Sequence, residues 1–284
     1  MRRRRSIPGR LAGAGLLVGL LVGLLPLAVQ AQGYVVGVEN LAFQPHYQLD
    51  ESGQYRGFGR DLLDLFARSE GLQLEYRPLP VNELAQRAAA GDVDLRYPDN
   101  PEWAGAAAPG YAPTYSAPVV AYVDGVLVDP RHAGQGLDGI RRLALVKGWT
   151  PRGYQSRIEA GQVLPVEVRD LRQMINQTLR RDTDGAYFNV VVATYYLDNV
   201  RARPGVLVFD PSLPHTRSHF YLSSVRHPEL VQRFDRFLGE HAQEVAALKA
   251  RYRVEANLDS AYMGMEQWKV DFLERQKRKE AQGQ

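Results

Sequence analysis

The 284-residue chain contains no cysteine. A disulfide scaffold, a lipid anchor built on cysteine and a thiol nucleophile are therefore excluded. Its six histidines, at positions 46, 132, 215, 219, 227 and 241, show no zinc-binding spacing, and neither a Gly-x-Ser-x-Gly elbow nor a phosphate-binding Walker loop occurs. The run "GRLAGAG" lies near the N-terminus inside a leader-like segment and does not form a nucleotide cradle. Internal repeats and low-complexity tracts are missing too. These absences weigh against nucleophilic and metal-dependent catalysis, so no catalytic residue, metal or cofactor is expected.

A basic surface is lacking as well, despite the net charge of +3. The first 31 residues hold five of the 35 Lys and Arg and none of the 32 Asp and Glu, which leaves 30 basic against 32 acidic groups. That balance gives no reason to expect a nucleic-acid partner or a polybasic membrane contact. Long apolar runs are limited to Leu11 to Val29, preceded by Arg2 to Arg5 and Arg10 and followed by Val29-Gln30-Ala31. This is the order of a secretory signal peptide, and cleavage after Ala31 is expected. An uncleaved anchor is the alternative at this length, disfavoured by four glycines and Pro26. About 253 residues would remain, enough for one large core or two moderate ones.

Beyond the leader, strand and helix signals alternate. "GYVVGVEN" reads as a buried strand and Ser52-Gly53 as a turn. Phe58, Leu62, Leu65 and Phe66 form the apolar stripe of a helix stopped by Gly71. "LQLEYRPL" is a second strand, Asn82 a candidate cap for the next helix, and "VDLRY" a third strand. Further on, "SAPVVAYVDGVLVDP" carries the hairpin dipeptide Asp124-Gly125 between two β-branched arms. A second series then begins at "RRLALVKG", continues through a helix bearing Leu171, Met174, Ile175 and Leu179, and reaches "DGAYFNVVVATYYLDN" and "GVLVFD". Pro228 opens a helix with Leu230, Phe234, Phe237 and Leu238, and the tail from Gln267 is charged and helix-prone, with "RQKRKEAQGQ" expected to fray in solvent. The fold class is α/β, as two series of mainly parallel strands flanked by helices.

This order, together with "GVENLAFQPHYQLDESGQYRGFGRDLLDLFA", "AAGDVDL", "LALVKGWTP" and "RRDTDGAYFNVVVATYYL", resembles the family 3 extracellular solute-binding proteins of amino-acid importers. The resemblance implies a two-lobe type II periplasmic binding fold in which two crossover strands let the lobes close on a solute. Lobe 1 would comprise residues 32–121 and 220–284, lobe 2 residues 122–219, and the crossovers "VVAYV" and "SHFYL". It further implies a periplasmic, monomeric receptor for a small polar solute, with an inner-membrane ABC-type permease as its partner. Two other readings accompany it: a periplasmic dehydratase-like enzyme on the same scaffold, with Asp99 or Glu102 as the acid, and a ligand-sensing partner of a membrane receptor.

Ligands of open α/β sheets sit beyond the C-terminal ends of the strands, so the loops there supply the candidate site. Phe43, His46 and Tyr47 in "FQPHY" offer flat faces and one titratable ring. In "YPDNPEW", Pro98 and Pro101 stiffen a segment that carries Tyr97, Asp99, Asn100 and Trp103, suited to amino, guanidinium or hydroxyl groups. In "KGWTP", Trp149 is a candidate contact, while Thr150 as cap and Pro151 as first residue would open a helix whose free N–H groups face the ligand. Against the family pattern, no Arg or Lys occurs between Tyr97 and Pro130, so Arg96 is the remaining candidate for a ligand carboxylate. Asn189 stands where the resemblance implies the acid that holds the substrate ammonium. With both halves of that clamp altered, the expected solute is not a standard α-amino acid.

Overall fold

The computed structural model describes residues 32–106, 109–260, 262–263 and 265–282. The expected leader lies outside the described residues. Strand β1 (Gln32–Glu39) is followed by a small hairpin of β2 (Gln48–Leu49) and β3 (Tyr55–Arg56). Helix α1 (Phe58–Glu70) buries Phe58, Leu62, Leu63 and Phe66. It ends at Gly71, whose φ of 64° closes the last turn in the left-handed conformation the sequence predicts. Strand β4 (Leu72–Leu79), helix α2 (Val81–Ala89) and strand β5 (Leu95–Asp99) complete the first series. Pro80, not Asn82, occupies the position before α2.

A 3-10 turn over Pro101–Ala106 and strand β6 (Thr114–Tyr115) lead to the long strand β7 (Val120–Val128). The second series is β8 (Arg142–Val146), α3 (Gln155–Glu159), β9 (Leu164–Val168), α4 (Leu171–Leu179), β10 (Gly185–Asn189) and α5 (Val190–Tyr195). Strands β11 (Val208–Phe209) and β12 (Thr216–Ser224) precede α6 (Pro228–Glu240), α7 (Ala242–Tyr252) and α8 (Gln267–Ala281).

The principal strand order is β4-β1-β5-β12-β7-β10-β8-β9. In each half three strands run parallel, β4-β1-β5 in the first and β10-β8-β9 in the second, as the α/β alternation predicts. The halves meet where β12 pairs antiparallel with β7, setting Phe220 opposite Val120, Ser218 opposite Tyr122 and Thr216 opposite Asp124. The expected crossover segment "SHFYL" lies within β12, and "VVAYV" lies in β7 from its second residue on. Helices α1 and α6 cover the first half through Phe66 and Phe234, whose rings meet edge to face at 5.1 Å. The second half packs Met174 and Ile175 of α4 against its sheet, with Asp170 capping that helix by accepting from the Gln173 amide at 2.8 Å.

Two expectations about local structure are corrected. Asp124-Gly125 makes no hairpin, because β7 runs straight through it with partners on both edges. Gly125 serves space rather than turning: a Cβ there would lie 2.4 Å from the Phe209 ring. Thr150 and Pro151 do not open a helix, since α3 begins at Gln155 after the buried Tyr154. Ahead of "RQKRKEAQGQ", the start of α8 is docked: Val270 is buried, and Lys269 Nζ pairs with Asp198 at 2.7 Å.

Residues beyond α7, placed with lobe 1 by the sequence division, contact the second half. Met263 packs with Val123, Val190 and Phe209 of that half, and Glu255 accepts from the Ala121 amide of β7, at the lobe 1 end of the crossover, at 2.7 Å. The C-terminal segment is thus a third strap along the crossover strands. Among the described residues, no helix is long and apolar enough to cross a membrane.

Candidate functional site between the two halves

Strand geometry carries each candidate group to one region. The C-terminal ends of β1 and β5 deliver the 43–47 loop and the 101–106 turn from the first half, whereas β8 and β10 deliver Trp149 and Phe188 from the second. There Phe43 stacks on Tyr47 at 5.1 Å and meets Phe188 at 5.5 Å and Trp149 at 6.1 Å. Trp149 lies nearly parallel to Phe188 at 4.9 Å. Phe220 joins this group from β12, stacked on Tyr122 at 4.5 Å and touched by His46 and Trp103. Phe43, His46, Trp103 and Trp149 are therefore brought together, in one aromatic seam that makes the apolar cores of both halves continuous.

His46 is an unusual member. It is 1% exposed, and neither ring nitrogen has a hydrogen-bond partner among the described residues. Burial in apolar surroundings pushes its pKa down to about 3, so the ring is neutral.

The remaining first-half candidates belong to a buried polar network. Arg96 pairs with Asp99 at 3.1 Å, both side chains nearly inaccessible, and donates to the Tyr111 hydroxyl at 3.2 Å. Asp99 also accepts from Tyr111, from Ser223 Oγ at 2.6 Å and from the Asn100 amide at 2.8 Å. Tyr47 donates to Glu39, whose carboxyl is pushed up by burial and held back in part by that bond and by Arg96. A buried pair of this kind is costly to break, since removing one partner strands the other. Tyr97, with β5 reaching as far as Asp99, points into the first core, where its ring would meet a side chain at Gly59.

Asn100 ties the turn to the crossover strand. Its side-chain amide donates to Ser218 Oγ at 2.9 Å and to the His219 carbonyl at 2.8 Å. Opposite, Arg152 reaches from the second half to the Glu102 carboxylate at 2.5 Å and to the Glu102 carbonyl at 2.8 Å. Thr150 is exposed. Asn189, fully buried, caps α5 by accepting from the Val192 amide at 3.1 Å, while its Nδ2 has no hydrogen-bond partner among the described residues.

Directly across from Asn189 on β7 is Asp124. Burial raises its pKa to about 7, moderated by the nearby Asn189 amide and by Arg152. The residue keeps partial solvent contact, yet its carboxyl lies deep enough for desolvation to dominate. Asp124 escapes sequence reasoning because Asp-Gly reads as a turn. The alternation Tyr122, Asp124, Val126 on one long strand is the available signal. Glu39, Tyr122, Phe188 and Phe220 escape it as well, hidden in strands that read as core, and Arg152 has no local motif to mark it.

Comparison with protein-family models gives no match to this chain, and no curated protein matches it. Solved structures do. The chain is similar to a histidine kinase sensor domain with similarity to periplasmic binding proteins, at 17% identity and a TM-score of 0.62, over 78% of this chain and 96% of that one. It is also similar to the VFT2 domain of BvgS from Bordetella pertussis, at 22% identity and 0.61, over 78% and 93%. A third is an ancestral amino acid-binding protein, a precursor of cyclohexadienyl dehydratase, at 17% and 0.60, over 78% and 95%. At such identities the likeness speaks for architecture. The chain has the two-lobe α/β fold of the periplasmic amino-acid-binding proteins and their sensor-domain relatives, the fold that its resemblance to family 3 implies.

Proposed function

We propose that the chain is a periplasmic receptor that takes a small polar solute between its halves, and that the solute is not a standard α-amino acid. The observation that carries this reading is the meeting of both halves over two shared strands, with Phe43 against Trp149 and Phe188 and with Glu102 against Arg152. Side chains from two lobes that touch across a hinge can part and close again around a guest, and binding then selects between the two arrangements. The nature of the guest is narrowed by the groups that are already engaged. Arg96, the group left to fork onto an α-carboxylate, is held by Asp99 and Tyr111. Asn189 offers an amide in place of a carboxylate.

Receptors of this build serve importers or sensors. An ABC-type permease partner rests on the sequence resemblance. The sensor role is supported by the similarity to sensor domains and by the strap after α7, which joins the C-terminal helix to the crossover strands and the second lobe. The dehydratase-like alternative asks for a carboxyl with a raised pKa in the cleft. Asp124 is a carboxyl with that property at the junction of the lobes. Among the described residues its neighbours are the Tyr122 and Tyr187 hydroxyls, the Asn189 amide and Arg152, a set that suits binding better than proton transfer.

Small-angle scattering of the purified protein with and without a solute library tests the receptor reading. The expected result is a radius of gyration that changes with one class of compound and ligand that is recovered unchanged. A radius unaffected by every compound, with no thermal shift, overturns it.

A further inference from the structure

One row of residues crosses all three strands at the junction of the lobes: Thr216 on β12, Asp124 on β7 and Asn189 on β10. Tyr187 and Tyr122 add their hydroxyls nearby, each with its pKa raised by burial and by the Asp124 charge. Asp124 has no ion-pair partner among the described residues. Arg152, the cation whose field reaches it, is engaged by the Glu102 carboxylate and carbonyl. A carboxylate in this position is poorly solvated and uncompensated, so a cation that reaches it gains a strong charge-assisted hydrogen bond.

Asn189 supplies the second, independent observation. Its Oδ1 is fixed by the cap on α5, which fixes the whole amide. Nδ2 then lies near enough to Asp124 to moderate its charge, yet it makes no hydrogen bond of good geometry and remains a buried donor without an acceptor among the described residues. Orphaned donors at the C-terminal end of a strand, in the crevice where open α/β sheets receive ligands, point to a guest that carries an acceptor.

Resting on the receptor reading, we propose that Asp124 anchors a cationic nitrogen of the solute, an alkylammonium or guanidinium, while Asn189 Nδ2 donates to an acceptor on the same molecule. The charge that the family pattern places at position 189 is thereby moved one strand across the sheet, onto a residue of the crossover itself. A solute held there couples directly to the hinge, because β7 is one of the two strands that join the lobes. Arg96 takes no part in this arrangement, so the solute needs no α-carboxylate.

Agmatine and putrescine serve as probe cations, with 1,4-butanediol and succinate as neutral and anionic counterparts of similar length. Isothermal titration and thermal shift are run on the wild type, Asp124→Asn and Asn189→Ala. Asp124→Asn is isosteric and removes an uncompensated charge, so it folds, and its unliganded melting temperature at pH 8 reports this directly. The expected result is binding of at least one cation by the wild type, weakened about tenfold or more in Asp124→Asn. Proton release on binding is also expected, seen as a dependence of the measured heat on buffer ionisation enthalpy, since a bound cation favours the carboxylate. Absence of binding by both cations, or equal binding by Asp124→Asn, overturns the proposal. Binding of succinate or butanediol alone discards the cation anchor while leaving the receptor reading in place.

Discussion

Arg152 and Glu102 join the two lobes by a pair of donor bonds, one to the carboxylate at 2.5 Å and one to the backbone carbonyl at 2.8 Å. Both side chains are partly exposed, 33% for Arg152 and 52% for Glu102, so solvent screens the pair and its worth to global stability is small. Its consequence is for closure rather than folding. Arg152→Ala is expected to lower stability by about 0.5–1 kcal/mol in urea titrations. The same variant should shift scattering curves toward a larger radius, and the wild type should move the same way between low and high salt. A variant with unchanged scattering in both salts would remove the pair from the closing mechanism.

Lys269 and Asp198 behave differently, because here the carboxylate is 3% exposed and the ammonium 15%. Loss of the lysine leaves a buried charge with no counter-ion, a change that costs about 3–5 kcal/mol where it cannot be relieved. Relief is available through undocking of α8, so Lys269→Ala should show itself locally. Hydrogen exchange across residues 267–276 is expected to rise to the rate of an open helix while the strands β1 and β8 keep their protection. Uniform loss of protection would mean that the strap stabilises the whole protein.

Periodicity made most of the fold legible. The stripe of α1, the glycine that ends it, the Pro228 start of α6 and the run of parallel strands all follow from local patterns that agree with the tertiary structure. The site was legible by half. Aromatics in loops, such as Phe43 and Trp149, announce themselves because a loop gives them no other employment. Asp124 did not, because Asp-Gly is a turn dipeptide by propensity, and nothing nearby in sequence tells that Phe209, more than eighty positions away, needs the glycine's empty side. The network of Arg96, Asp99, Tyr111 and Ser223 was hidden for the same reason: Ser223 lies 124 positions from the Asp99 it donates to, and the members meet only once β12 is in place.

Phe43 is the ring that bridges the lobes, 4% exposed and in contact with Tyr47, Trp149 and Phe188. Phe43→Ala removes a buried aromatic and leaves a void between two elements that can separate, so about 3 kcal/mol or more of stability is expected to be lost. Trp149 would lose one of its two ring neighbours and gain water. In a background with Trp103→Phe and Trp268→Phe, which isolates Trp149, its emission should shift to longer wavelength in Phe43→Ala. An unmoved spectrum would place the Trp149 environment under the control of Phe188 alone.

His46 and Asp124 should impose opposite pH dependences. The folded His46 has its pKa lowered from 6.5 to about 3, so its contribution to stability is full above pH 6.5 and is lost as the pH falls toward 3, where the unfolded chain binds the extra proton. Asp124 is raised from 3.8 to about 7, so its contribution is full below pH 3.8 and is lost as the pH climbs through 7. Glu39, raised by burial, adds to the second trend. Between about pH 4 and 6.5 the two slopes, each at most about 1.4 kcal/mol per pH unit, oppose one another, and the wild type should change little. Single variants expose them. Asp124→Asn leaves the histidine term and should gain stability with rising pH, whereas His46→Phe, which keeps the ring volume, should lose stability over the same range. Urea midpoints at pH 4.5, 5.5 and 6.5 measure both. Parallel curves for wild type and Asp124→Asn would show that the Asp124 carboxyl is solvated after all, and with that the case for an uncompensated charge at the hinge would fall.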